Sequence, residues 1–303
     1  MRFSTTDWVR AAAAGLAFAA ATGAPALAND AMGLVFGERQ LALDLDTRCG
    51  LFSAGQRAAL EAGRLQARGS LLREGVSAHA LNDYADEIER QAGSTDCNWP
   101  EVADLQARVA DAFMAWERMR DMRFAGQDFD WVATRSYIAG EPGWAALQDT
   151  GTIRVGISRL DDIRRFTAAL PATEGAVSAV LVLRDMQREP NLYDPTLDGH
   201  FPAPQGAEWA DWTPPDYARS LVWTSGRGTA RERANLTAGG TGLVFHFPDS
   251  AMTAIAARDP RETARIDVID GRGERIAQYY FEIGDFGAAR AFVGSGNLFD
   301  PGS

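Results

Sequence analysis

The sequence predicts an α+β fold: an N-terminal antiparallel helical bundle followed by a mainly antiparallel β-rich domain. Three observations lead there. Between Leu51 and Arg123 the apolar residues recur at helical spacing. After about Gly126 they gather instead into short β-branched and aromatic runs separated by turn residues. Near the C-terminus two such runs flank Asp270-Gly271-Arg272-Gly273, a glycine-supported hairpin turn.

Residues 1–28 read as a signal peptide. Arg2 and Arg10 outweigh Asp7, an uninterrupted small and apolar run covers Ala11 to Ala24, and Ala26-Leu27-Ala28 supplies the small residues that a signal peptidase accepts. The apolar run is shorter than the roughly 20 residues a membrane-spanning helix needs. Cleavage after Ala28 leaves a mature chain starting at Asn29, expected to be periplasmic or secreted. Later apolar stretches are too short to predict a membrane span.

The first domain is expected over 29–125. Ser53 suits the N-cap of a helix reaching about Arg73, with Gly75 as its stop. Ser77 suits a second helix carrying Leu81, Tyr84, Ile88 and Ala92 on one face and ending at Gly93. Pro100 fits the first turn of a third, with Val102, Leu105, Val109, Phe113 and Trp116 in its stripe. Cys49 precedes the first of these helices and Cys97 follows the second, so a hairpin brings them to one end. In an oxidising compartment the pair is expected to form a disulfide. His79 has no partner at i+4 to complete a metal pair, and reads as a surface residue.

The second domain is expected over 126–303. Its strands are read at Trp131–Thr134, Thr152–Ile157, Ala176–Leu183, Leu221–Thr224, Leu243–Phe247 and the hairpin Ala264–Ile269 with Glu274–Ile283. A short helix over Ser250–Ala257 precedes the hairpin, and a last helix follows Gly284. The short helix, the glycine-turn hairpin, the strand Tyr279 to Ile283 and the ending carried by Gly284, Phe286, Ala288 and Ala289 resemble the invasion-associated locus B type of exported bacterial protein. That resemblance covers about 60 residues of the 303 and implies a β-sandwich-like domain without an established catalytic role. Proteins of that type usually carry cysteines in the β-domain, whereas none follows Cys97 here.

Chemistry is narrowed by composition. The net charge is −11, and loss of the leader makes it more negative, so nucleic acid is not an expected partner. All 30 basic residues are arginines, which excludes a Walker lysine, a Schiff base and a lysine general base. No cofactor, metal or catalytic motif is recognised. Ser225 lacks the flanking glycines of a nucleophile elbow. His246, within an apolar strand, reads as structural. Gly226-Arg227-Gly228 and Gly239-Gly240-Thr241-Gly242 read as turns with no nucleotide-loop helix after them.

One segment, Asn191 to Tyr217, mixes aromatics and carboxylates among prolines and is long for a loop. Its candidate binding residues are Tyr193, Asp194, Asp198, His200, Glu208, Trp209, Asp211 and Trp212. The expected function is that of a noncatalytic envelope protein binding another protein or an envelope polymer. The alternative is a glycan-binding or peptidoglycan-cleaving enzyme, with aromatic faces stacking on sugar rings and two carboxylates acting as acid and base.

Overall fold

The computed structural model describes residues 31–136, 138–190, 192 and 214–295. The expected signal peptide and all eight candidate residues of the 191–217 segment lie outside them.

Among the described residues four helices come first: α1 (Ala31–Cys49), α2 (Ala54–Arg73), α3 (Ala78–Ser94) and α4 (Pro100–Glu117). The caps fall where the sequence puts them. Ser53 and Gln56 form a reciprocal capping box, Ser77 accepts from the Ala80 amide, and Pro100 opens α4. α3 runs on through Gly93 to Ser94, so the glycine does not end it. Arg48 does that work from another element, its Nη1 donating to the carbonyls of Ala92, Gly93 and Thr95. α1 is a helix that the spacing analysis misses. It packs on α2 and α3, burying Phe36, Ala42 and Leu45. Gly37 lets the Tyr84 hydroxyl approach; a Cβ there would sit 2.5 Å from it. Cys49 closes α1, and its Cα lies 5.8 Å from that of Cys97, with the sulfurs at bonding distance.

Strand begins at Asp121, inside the stretch expected to be helical. Among the described residues eleven strands form two sheets, every pair antiparallel. The larger has the order β1-β2-β3-β4-β5-β9-β8, from β1 (Asp121–Phe124), β2 (Trp131–Thr134), β3 (Gly143–Asp149), β4 (Arg154–Leu160), β5 (Ile163–Leu170), β9 (Leu243–His246) and β8 (Gly226–Arg227). The smaller has the order β11-β10-β6-β7, from β11 (Arg275–Glu282), β10 (Thr263–Asp270), β6 (Ala176–Arg184) and β7 (Arg219–Trp223). The expected hairpin is β10–β11. β7 and β8 are nearly continuous in sequence yet belong to different sheets, so the chain changes sheet at Thr224-Ser225.

Both sheets feed one apolar core. Phe166 and Phe245 enter it from the larger, Leu181, Ile266 and Phe281 from the smaller. The short helices α6 (Asp249–Ala256) and α7 (Phe286–Gly294) add Ile255, Phe286 and Phe292, and Ala62 of α2 and Trp116 of α4 join the same core. Trp131 packs edge-on against Phe286, ring centroids 4.9 Å apart. A third short helix, α5 (Ala230–Leu236), lies on the opposite face of the larger sheet, where its Leu236 clusters with Ala169 and Val244.

Candidate functional site

The alternation along β4, β5 and β9 sends Phe166, Ala168 and Phe245 to the core and sends Ser158, Thr167 and His246 to the other face. Pairing of Thr167 with His246 across β5 and β9 puts the two side chains side by side. The Thr167 hydroxyl lies 3.0 Å from His246 Nδ1 and 2.6 Å from the Ser158 hydroxyl. Over this row lies α5. Its Glu232 turns one carboxylate oxygen to the Thr229 amide and hydroxyl, at 2.8 and 3.0 Å, completing a capping box. The other oxygen sits 3.0 Å from His246 Nε2, close enough for an ion pair but off the line of a hydrogen bond.

The result is a hydroxyl, an imidazole and a carboxylate in the order used for acid–base chemistry. Access decides what it does. Thr167 is 0% exposed, and His246 and Glu232 are 4% each. Burial pushes the His246 pKa below its ordinary value; the Glu232 carboxylate opposes that and the nearby Arg165 charge reinforces it. The neutral ring then accepts from Thr167 at Nδ1 and carries its proton on Nε2, facing the carboxylate, an assignment made from the network. With no member of the row reaching solvent, the array holds α5 on the sheet. His246 is buried on the face of its apolar strand that α5 covers.

Beside this row an open cleft of about 210 Å³ is lined by Arg227, Gly228, Arg233, Leu243 and Val244. Here one expectation fails: Gly226-Arg227 is strand β8 rather than a turn, and a helix, α5, does follow. That helix is a single capped stretch of seven residues, and Gly228 is there for space, since its Cβ would meet the Val244 side chain at 2.6 Å. Gly239 and Gly240 do form a turn, with φ of 69° and 74°.

The second candidate is an exposed apolar edge. β7 closes one side of the smaller sheet and shows Leu221 and Trp223, each 54% exposed, with Tyr217 at 63% just before it. Large apolar groups side by side on a strand that has no further neighbour among the described residues commonly mark a contact surface. The 191–217 segment joins β6 to this strand. Its described C-terminal end is anchored by Arg219, which donates to the Pro214 carbonyl, and by Arg188, which donates to that of Tyr217.

The remaining candidates separate. His79 does have a neighbour at i+4, Asp83, whose carboxylate lies 3.4 Å away, which corrects the sequence reading. Both side chains are well exposed, and such a pair contributes little. Ser225 donates to the His246 backbone carbonyl through both its amide and its hydroxyl, and among the described residues no imidazole is bonded to it as a base. Among the described residues there is no cluster of three metal-ligating side chains, and no helix is long and apolar enough to cross a membrane. Comparison with protein-family models, with curated proteins and with solved structures finds no match to this chain.

Proposed function

We propose that the chain is an exported protein of the bacterial envelope that acts by binding a protein or envelope polymer rather than by catalysis, through the β7 edge. The carrying observation is the contrast between exposed Leu221, Trp223 and Tyr217 and the buried Thr167–His246–Glu232 row. An indole and a phenol at an edge supply large contact area at low conformational cost. The leader-like residues 1–28 and the Cys49–Cys97 pair support an oxidising destination. The likeness to locus B type proteins belongs to the same reading, as do the helical-bundle and β-sandwich-like descriptions of its two parts.

The test is co-sedimentation of the mature protein with purified peptidoglycan sacculi, run beside crosslinking in envelope extract with a photoreactive residue at Tyr217. A saturable complex in either assay, abolished by Leu221→Asp with Trp223→Ser, is the expected outcome. A complex that survives both substitutions defeats the proposal. The glycan-cleaving alternative is favoured instead if peptidoglycan fragments are turned over and Asp198→Ala or Glu208→Ala stops it.

A further inference from the structure

The two edges of the smaller sheet are not alike. At the β11 edge the Gln148 side chain bonds both the amide and the carbonyl of Glu282, and the pairing with β10 shifts register between Val268 and Ile269. Plugs and bulges of that kind keep an edge from pairing. β7 has neither. No proline lies within Arg219–Trp223, and its register against β6 is unbroken.

The direction of its backbone groups follows from two bonds. The Asp185 amide donates to the Ala218 carbonyl and the Thr224 amide to that of Ala179, so Ser220 and Val222 between them turn their N–H and C=O groups to β6. Those of Arg219, Leu221 and Trp223 therefore point outward. The side chains of Leu221 and Trp223 stand beside Val182 and Val180, on the face turned away from the common core.

A two-fold axis through Leu221 matches these outward groups to themselves. Leu221 then pairs with Leu221 of a second copy, and Arg219 with its Trp223. The Pro214 carbonyl and the Asp216 carboxylate hold the Arg219 guanidinium by its edge, which leaves its face for the indole. Neighbouring axes fit less well. One at Arg219 sets arginine against arginine and needs the Tyr217 carbonyl, which accepts from Arg188; one at Trp223 needs the Ser225 amide, which donates to His246.

We infer that the β7 edge binds a second copy of this chain, joining two four-stranded sheets antiparallel about Leu221. This rests on the reading of β7 as the contact edge and names its partner. Proline at Leu221 removes an outward amide and leaves every bond to β6 in place, whereas alanine keeps that amide.

The experiment is sedimentation equilibrium of the mature protein from micromolar to millimolar concentration, and a monomer–dimer equilibrium is expected. Leu221→Ala and Leu221→Pro both lose the leucine, so any difference between them reads the backbone pairing; the proline variant should dimerise about ten-fold or more weakly than the alanine one. Cysteines read the register. Under mild oxidation Leu221→Cys should crosslink to itself, and Trp223→Cys should crosslink to Arg219→Cys but not to itself. Thermal melts establish that each variant is folded, as exposed substitutions should be. A monomer at every concentration overturns the inference, as does equal dimerisation of Leu221→Pro and Leu221→Ala or self-crosslinking of Trp223→Cys. If the protein is monomeric and Leu221→Asp with Trp223→Ser still abolishes a complex with sacculi or another protein, the second copy is the wrong partner and the β7 reading stands. A dimer that survives that double substitution defeats both.

Discussion

Arg135 is a cation placed where cations rarely go. It is 3% exposed, with its guanidinium carbon 3.9 Å from the ring centres of both Trp116 and Phe292. It donates to the carbonyls of Phe292 and Trp116 and to the Ser295 hydroxyl. It therefore satisfies the C-terminal carbonyls of α4 and α7 at once, groups that would otherwise be buried without partners. Burial lowers its pKa to about 10, which still leaves it charged at neutral pH. Replacing it with methionine removes the donors and keeps the bulk, so Arg135→Met should cost about 3 kcal/mol in urea denaturation. Arg135→Lys should recover less than half, because an ammonium cannot fork between two helix ends. A loss under about 0.5 kcal/mol, the size of an ordinary surface substitution, would show that the carbonyls find water instead.

A glycine in α2 poses the opposite problem. Gly69 lies inside α2, near its C-terminal turn, where alanine is normally better by about 1 kcal/mol. Its Cβ, however, would stand 1.9 Å from an Asp285 carboxylate oxygen. Asp285 is 3% exposed and takes two hydrogen bonds from Arg73, at 2.9 and 3.0 Å. Displacing a buried pair costs about 3–5 kcal/mol, which exceeds the helix-propensity gain. Gly69→Ala should lower stability by about 2 kcal/mol or more, a drop readable as a lower melting temperature. None of this is legible in the sequence. Arg73 and Asp285 lie 212 positions apart, and only folding brings them together.

At the scale of elements, α5 shows what spacing analysis overlooks. Seven mostly polar residues give no apolar stripe, yet Thr229-x-x-Glu232 is a capping-box signature and was available in the sequence. β5 is hidden for another reason: Arg164 and Arg165 interrupt its alternation, although Phe166 to Leu170 are all buried. α1 escapes because Glu38, Asp44 and Asp46 are spread around it, and Asp46 is itself buried, accepting from the Phe52 amide and pairing with Arg57. The helices with good caps and one apolar face were read nearly to the residue.

The α5 contact also carries a pH dependence whose sign is fixed. His246 has a folded pKa below its unfolded value of 6.5, chiefly because it is buried. The unfolded chain therefore binds its proton first on acidification. The stabilisation from the neutral ring is complete above 6.5 and is lost as pH falls below it towards the depressed folded value. His246→Gln should flatten the wild-type slope of stability against pH in that window. Glu232→Gln keeps the cap, since glutamine serves at that position, but removes the charge that favours the imidazolium. Its slope should persist further into acid. Identical curves for wild type and His246→Gln would mean that the ring does not titrate with folding.

For the whole molecule, the order of helix and strand was largely legible, but the arrangement of strands was not. β6 follows β5 in the chain yet belongs to the other sheet, while β9 takes the place beside β5 after an excursion of more than seventy residues. Pairing between distant segments leaves no local spacing to read. The cysteines are the exception, because a covalent constraint can be argued from position alone. Their bond closes a separation of 48 residues, tying the end of α1 to the segment between α3 and α4. In the chain-entropy account a loop of that length stabilises the fold by about 4 kcal/mol. α1 packs on α2 and α3, and α2 packs in turn on α7, so loosening α1 should reach the common core chiefly through α2. The double variant Cys49→Ser, Cys97→Ser should therefore lose stability by about 4 kcal/mol, with amide exchange rising first in α1 and α3 and later in β10 and β6. Exchange that rises equally in helices and sheets would instead mean one cooperative unit, and the bridge would then be supporting the entire chain.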